Sequence, residues 1–368
     1  MRIEKVDLYR VRLPLVHEFE TSSHRKSSIE HIIVRLTDSS GLFGWGEIAS
    51  PSAPYYGSET VDTAMLIARD YLMPLVVDTS WDHPAELTRR WGVIRGHEFA
   101  KAGFDIAAWD LYAATEKMSL SQALGGTRQE VFAGVSLGIE ATIDQLLEQI
   151  QHQVDEGYSR VKLKIKPGWD VIPVRETRAA FPTLLLHVDA NGSYSPDAET
   201  SLQMRTLDEF SLAMIEQPFS PRDFISHAEL AKTLNTPICL DESIVTTADL
   251  LTMVALSAGT VLNIKVSRMG GLTSALAAYS IAREHNIEVW CGGMHEFGIG
   301  RAANIALSSL SDFTYPSDVS GSSKYYEQDV IEPEITASRG TVSVPQSVGL
   351  GCRVILERIE AGLVRDFT

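Results

Sequence analysis

The sequence predicts an α/β protein: a (β/α)8-type, TIM-like barrel, or a (β/α)7β variant of it, with an N-terminal α+β capping domain completed by the C-terminal segment. Three observations predict it. Short apolar, β-rich runs recur after residue 130, amphipathic helical stretches fill the gaps between them, and the first 125 residues follow neither pattern. The interval between runs is roughly 25 residues, the length that a strand, a helix and two short loops need, and such alternation makes parallel βα units.

The cap comes first in the chain. MRIEKVDLYRVRL and HIIVRLTDSSGLFGWGEI read as strands on either side of the polar run HEFETSSHRKSS, and helical segments follow, among them ETVDTAMLIARDYLMPLV and HEFAKAGFDIAAWDLYAATEKM. Gly125 and Gly126, in LGGTRQE, break the helical pattern and mark a boundary. Residues 1–125 are therefore assigned to the cap and 126–324 to the barrel, with the more polar and irregular 325–368 packing back on the cap.

The barrel runs are VFAGVSLGI from Val131, RVKLKI from Arg160, LLLHVDAN from Leu184 and LAMIEQP from Leu212. They continue with PICLDES from Pro237, VLNIKVSR from Val261, EVWCGGM from Glu288 and FTYP from Phe313. Between them, stretches such as IDQLLEQIQHQVDEGY and HAELAKTLN space apolar residues three and four apart, as a helix does. Eight strands is the number a closed barrel requires. An open doubly wound sheet is the competing fold, but no Gly-x-Gly-x-x-Gly turn opens a helix here.

Composition narrows the function. The 368 residues suit one large domain plus a smaller one, and 44% hydrophobic with 22% charged residues is ordinary globular composition. A net charge of −16 repels polyphosphate, so nucleic acid is not expected as a partner, and a small-molecule enzyme is. The first residues do not read as a signal peptide, and no stretch reaches the roughly 18 uncharged apolar residues of a membrane span. The three cysteines, Cys239, Cys291 and Cys352, are odd in number and widely spaced. That argues against a disulfide framework or a cysteine zinc site and suits a reducing cytoplasm. Cys239 and Cys291 lie in apolar runs and read as small buried hydrophobes.

The active site of such a barrel lies at the carboxyl ends of its strands. Asp189 closes the third run, Glu216 the fourth and Asp241 the fifth. Any one of them alone reads equally well as the cap of the following helix. Three from successive strands converge on one mouth, where like charges need a cation, and oxygen-only ligands favour a hard divalent ion such as Mg²⁺, with Mn²⁺ as a substitute. In RVKLKI, Lys162 and Lys164 share one face of the second strand; helices cover the outer face of a parallel barrel, so the pair should point inward. Lys265 closes the sixth run, across the mouth. A lysine on each side of a metal, with substrate between, can exchange a proton with a carbon next to a carboxylate.

These motifs resemble the muconate-lactonising subgroup of the enolase superfamily. GVSLGI, KLKIKPGWD, VDAN, IEQP, ICLDES, NIKVSRMGG and WCGGMHEFGIGRAANIALSSL are similar, more narrowly, to the o-succinylbenzoate synthase and N-acylamino acid racemase family, and GWGE and GFDIAAWDL extend the likeness into the cap. The resemblance implies Lys164 and Lys265 as the acid–base pair and Asp189, Glu216 and Asp241 as Mg²⁺ ligands. It implies that Lys162 supports the substrate carboxylate or the enolate and that Asn191 orients ligands or substrate. Ser136 and Met294 are implied to line the pocket, and Arg268 matches an arginine frequent in members that racemise.

The implied activity is o-succinylbenzoate synthesis, a dehydration in menaquinone biosynthesis. The alternative is racemisation of N-acyl, above all N-succinyl, amino acids, by the same or a shared site; dipeptide epimerisation and muconate cycloisomerisation rank lower. His295 stands where mandelate-racemase-like relatives carry a catalytic histidine, but the sixth run ends in lysine without the usual aspartate, so a place on the pocket wall is expected. The His24–Lys26 loop is expected over the mouth, in reach of an acidic substrate. A small carboxylate substrate and a homo-oligomer are the expected partners.

Overall fold

Alternation of apolar and charged residues in the first segments becomes a three-stranded antiparallel sheet, β1 (Ile3–Glu20), β2 (Arg25–Asp38) and β3 (Phe43–Ile48), in that order. The computed structural model describes residues 1–20 and 25–364, without the side chains of 19 and 20, so His24 lies outside the described residues. The helices α1 (Val61–Ile67), α2 (Met73–Val76), α3 (Pro84–Trp91), α4 (Glu98–Thr115) and α5 (Leu120–Leu124) follow, with a π turn at Ala68–Leu72 joining α1 to α2. Helix α4 is buried along most of its length against β3. The approach is backbone to backbone: a Cβ on Gly46 would sit 1.9 Å from the Gly103 carbonyl oxygen, which explains the glycines of FGWGE.

A short strand β4 (Glu130–Phe132) leads into seven parallel strands that neighbour one another in chain order. They are β5 (Val135–Leu137), β6 (Arg160–Lys164), β7 (Leu185–Asp189), β8 (Met214–Glu216), β9 (Ile238–Leu240), β10 (Val261–Ile264) and β11 (Glu288–Cys291). The alternating helices are α6 (Ile143–Asp155), α7 (Val171–Ala180), α8 (Ala198–Asp208), α9 (Phe224–Ala231), α10 (Thr247–Leu256), α11 (Leu272–Glu284) and α12 (Gly298–Ser308). The eighth position, the FTYP run, is irregular. It joins its neighbours through single parallel bridges, Val289 with Phe313 and Ala133 with Ser317, and the Asp318 amide donates to the Cys291 carbonyl at 2.8 Å. The architecture is thus a seven-stranded parallel barrel sheet closed by one irregular segment, under an antiparallel cap.

Strand parity sorts the barrel core. Outward-facing Val161, Leu163, Leu186, Val188, Ile215, Leu240, Leu262 and Ile264 join the main apolar cluster under the helices. Inward-facing Met214, Cys239, Val261 and Trp290 form a separate apolar plug. Above the plug the interior is polar, and it is there that Lys162, Lys164, Asp189 and Glu216 point.

After α12 the chain forms β12 (Ile331–Glu332), β13 (Ala337–Ser338), β14 (Thr341–Ser343), β15 (Arg353–Val354) and α13 (Leu356–Ala361). Strand β14 pairs with β4, and the last described residues return to β1, where the Arg12 amide donates to the Gly362 carbonyl at 2.9 Å and the Val364 amide to that of Arg10 at 3.0 Å. Among the described residues no helix is long and apolar enough to cross a membrane.

Candidate active site

Three successive strands end in a carboxylate. Asp189, Glu216 and Asp241 are fully buried, and one oxygen of each lies within 4.8 Å of the others. They are not helix caps. The helices that follow are capped by Asp197, Asp223 and Thr246, which accept from the Thr200, Ser226 and Asp249 amides. Residues after two of the acids hold the strand ends: the Asn191 amide donates to Asp189 Oδ1 at 2.9 Å, and Gln217 Oε1 accepts from the amides of Asp241 and Ser243 at 3.0 and 3.2 Å.

Lysines cover the acids. Lys164 Nζ lies 2.6 Å from Asp189 Oδ2 and 2.7 Å from Asn191 Oδ1. Across the mouth, Lys265 Nζ lies 2.8 Å from Asp241 Oδ2. Lys162, one layer deeper, reaches Glu216 at 3.1 Å and both Asp189 and Asp318 at 3.3 Å. Burial opposes the Lys162 charge, but Asp318, Glu216 and Asp189 outweigh it and hold its pKa well above the ordinary value. Burial likewise opposes Lys265, and Asp241 raises it. The acids divide. Burial pushes all three up, yet Lys164 and Lys162 pull Asp189 below its usual range, and Lys265 and Arg268 do the same for Asp241. Glu216, pushed by burial and by Asp189, rises to about 8. Three acids this close do not all carry charge comfortably without a further cation.

A cavity of about 210 Å³ opens above these groups, lined by Ser136, Lys162, Lys164, Asn191, Lys265, Met294 and His295 from the barrel and by Lys26, Pro51, Tyr55 and Tyr56 from the cap. Arg268 is not on that wall. Its guanidinium donates to the Ile244 and Asn263 carbonyls and to Tyr56, and it pairs with Asp241 from behind. His295 packs edge-on against Tyr325; burial, Lys26 and Arg301 depress its pKa, so the ring is neutral.

Several side chains of the site are absent from the sequence reading. The Tyr56 hydroxyl donates to Asp241 at 2.9 Å and meets Lys265 at 3.2 Å, from a cap loop with no motif to mark it. Asp318 accepts from Ser136 at 3.1 Å and from Arg160 at 2.7 Å, and it follows the one irregular barrel segment. Asn263 donates to Glu216 at 2.7 Å, and Glu242 accepts from the already expected Asn191 at 2.8 Å. Inward parity in NIK and RVKLK was the available signal for Asn263 and Arg160. Arg160 lies over Trp290 and against Gly134, where a Cβ would stand 2.3 Å from its guanidinium carbon.

Fold and site together define a barrel enzyme with carboxylates and lysines gathered at one mouth. Residues 145–358 match the family described as Enolase C-terminal domain-like, and residues 5–125 match the Mandelate racemase / muconate lactonizing enzyme N-terminal domain. The chain is 42% identical to an o-succinylbenzoate synthase of Bacillus subtilis, over 96% of this chain and 95% of that one. It is also 42% identical to an N-succinylamino acid racemase of an Amycolatopsis species, over 98% and 97%. A crystal structure of an enolase-superfamily member from Listeria innocua superposes with a TM-score of 0.96 at 37% identity, covering 99% of this chain and 98% of that one. The chain belongs to the enolase superfamily, and within it to the family of o-succinylbenzoate synthases and N-acylamino acid racemases.

Proposed function

We propose that the chain is a Mg²⁺-dependent o-succinylbenzoate synthase that acts in menaquinone biosynthesis in the cytoplasm. The observation that carries the reading is the pair of lysines, Lys164 on Asp189 and Lys265 on Asp241, lining one cavity from opposite sides of the acidic triad. The similarity to synthases over nearly the whole chain supports the choice of reaction.

The residues fit a hard divalent ion. The donor set is all oxygen, and one carboxylate oxygen from each of the three acids lies within 4.8 Å of the others. Asp189, Glu216 and Asp241 would hold the ion, and its role would be to stabilise the negative charge that builds on the substrate carboxylate. Lys164 takes the α-proton, and the electron pair of that C–H bond moves toward the carboxylate. Lys164, now protonated, returns its proton to the departing hydroxyl, so the C–O bond breaks, water leaves and the ring becomes aromatic. One base on one face completes the elimination. Lys265, held in its charged form by Asp241, faces the developing anion from the other side. Lys162 and Asn191 position the carboxylate end.

The test is to incubate the purified protein and Mg²⁺ with the cyclohexadiene precursor of o-succinylbenzoate and follow the aromatic product by ultraviolet absorbance. Turnover supports the synthase reading, and no turnover refutes it. The second reading, N-succinylamino acid racemase, draws on the same lysine pair, since racemisation needs a base on each face of one carbon, and on the Amycolatopsis relative. Deuterium uptake at the α-carbon of an N-succinylamino acid tests it.

A further inference from the structure

The irregular eighth segment of the barrel carries an acid that stands outside the triad, Asp318. Its backbone is held on both sides: the Asp318 amide donates to the Cys291 carbonyl at 2.8 Å, and the Ser317 amide to that of Phe132 at 2.9 Å. Its carboxylate sits in the cavity wall. One oxygen accepts from Arg160 at 2.7 Å; the other accepts from Ser136 at 3.1 Å and lies 3.3 Å from Lys162 Nζ. Both of these cations also lie over the Trp290 ring, Lys162 at 4.8 Å and Arg160 at 5.1 Å from its centre. Lys162 is shared among three carboxylates, Asp318, Asp189 at 3.3 Å and Glu216 at 3.1 Å, and the last two belong to the triad. A divalent ion that takes Asp189 and Glu216 takes them from Lys162. Asp318 is the carboxylate that stays with the lysine.

We infer that Asp318 is a positioning residue that divides the buried charges of the barrel: it holds Lys162 and Arg160, so that Asp189 and Glu216 can close on a divalent cation. The inference rests on the proposed function, because it takes those two acids as ligands. Without the Asp318 charge, Lys162 turns its full attraction on Asp189 and Glu216, and an entering cation has to displace a more firmly held ammonium. Arg160 keeps the Pro316 carbonyl at 2.8 Å, which answers its hydrogen but not its charge. Asp318 therefore governs the affinity of a site to which it gives no ligand, and it does so through Lys162.

The experiment is a calorimetric Mg²⁺ titration of the full chain as wild type, Asp318→Asn, Lys162→Met and the two combined. Asparagine keeps the shape of the side chain and an acceptor for Arg160 while removing the charge. Asp318→Asn should weaken Mg²⁺ by about 10- to 100-fold, the range seen when a group that supports a ligand set is removed. In the Lys162→Met background the same substitution should weaken it by a factor at least about 5-fold smaller, because the ammonium that Asp318 restrains is gone. Asp318→Glu, which keeps the charge, should stay closer to wild type than Asp318→Asn. Equal losses in the two backgrounds, or no loss in either, overturn the inference. If Asp318→Asn does not fold, Arg160→Met combined with Asp318→Asn removes the guanidinium along with its partner. The same Mg²⁺ loss is expected of that protein, and unchanged affinity in it overturns the inference. A wild type that binds no Mg²⁺ overturns the functional reading and the inference with it, whereas a wild type that binds Mg²⁺ and turns over, beside an unaltered Asp318→Asn, overturns the inference alone.

Discussion

Glu47, the acid of GWGE, ties the cap to the barrel, and replacing it by alanine should loosen both. Its carboxyl is fully buried and accepts from the Phe297 amide at 2.8 Å and the Gly300 amide at 2.7 Å, in the first turn of α12. Helix α12 has no side-chain cap of its own, so a residue some 250 positions earlier supplies one. His31 Nδ1 lies 2.7 Å from the same carboxyl. Burial raises Glu47 to about 8 and lowers His31 to about 3, so at neutral pH the pair is uncharged and holds one proton between them. Glu47→Ala leaves two buried N–H groups without an acceptor, at about 1–3 kcal/mol each, for a loss of about 2–6 kcal/mol. With an unfolding entropy of about 0.8 kcal/mol/K for a chain of this size, Tm should fall by about 3–8 °C. Glu47→Gln keeps one acceptor and should fall between. The turn before α12 carries Gly293–Glu296, part of the cavity wall, so kcat/KM should fall along with Tm. Thermal unfolding and steady-state kinetics on the three proteins test this. A Glu47→Ala protein melting within 1 °C of wild type would refute the capping role.

The same pair gives a pH dependence. Glu47, raised to about 8, makes stability fall as pH rises from about 4.5 to about 8, while His31, lowered to about 3, makes it rise up to about 6.5, so the decline should show in the wild type between about 6.5 and 8 in urea unfolding and be absent from Glu47→Gln. Lys164→Ala should abolish dehydration and racemisation alike, by at least about 10³-fold, because both begin at that base; substantial dehydration by the variant would contradict the assignment. Lys265→Ala should end racemisation but leave measurable dehydration, read from product absorbance against deuterium exchange. Asp241→Asn removes one of three charges from the triad and should weaken Mg²⁺ by about 10-fold or more in a calorimetric titration; unchanged affinity would mean that the ligands lie elsewhere.

The barrel was legible because its signals are local and repeat. Asp189, Glu216 and Asp241 each end an apolar run, and parity alone turned Lys162 and Lys164 inward. The residues that escaped notice depend on contacts that no short window contains. Tyr56 reaches Asp241 across 185 positions, and Asp318 meets Arg160 across 158. Asp318 also follows the FTYP run, where single bridges replace a strand ladder, so the register that marks the other strand ends is missing. Arg268 was legible as a residue type but not in its depth: its neighbours in sequence do not reveal that Asp241 and two carbonyls absorb the guanidinium behind the wall.

The two halves of the cavity have different physical jobs. The barrel half is a closed circuit of ion pairs, Lys164 with Asp189, Lys162 with Glu216 and Asp318, Lys265 and Arg268 with Asp241, so a change to one member leaves a buried charge without its partner. That makes the proton-handling set costly to vary. At the cap half, Lys26 and Pro51 line the cavity without an ion pair to that circuit, and changes there alter the shape and charge of the cavity at little cost to the core. Tyr56 is the exception, a cap residue whose hydroxyl enters the circuit at Asp241 and Lys265. A scaffold divided in this way can keep one proton-transfer chemistry while its substrate changes. It fits a chain that stands at 42% identity both to a relative named o-succinylbenzoate synthase and to one named N-succinylamino acid racemase.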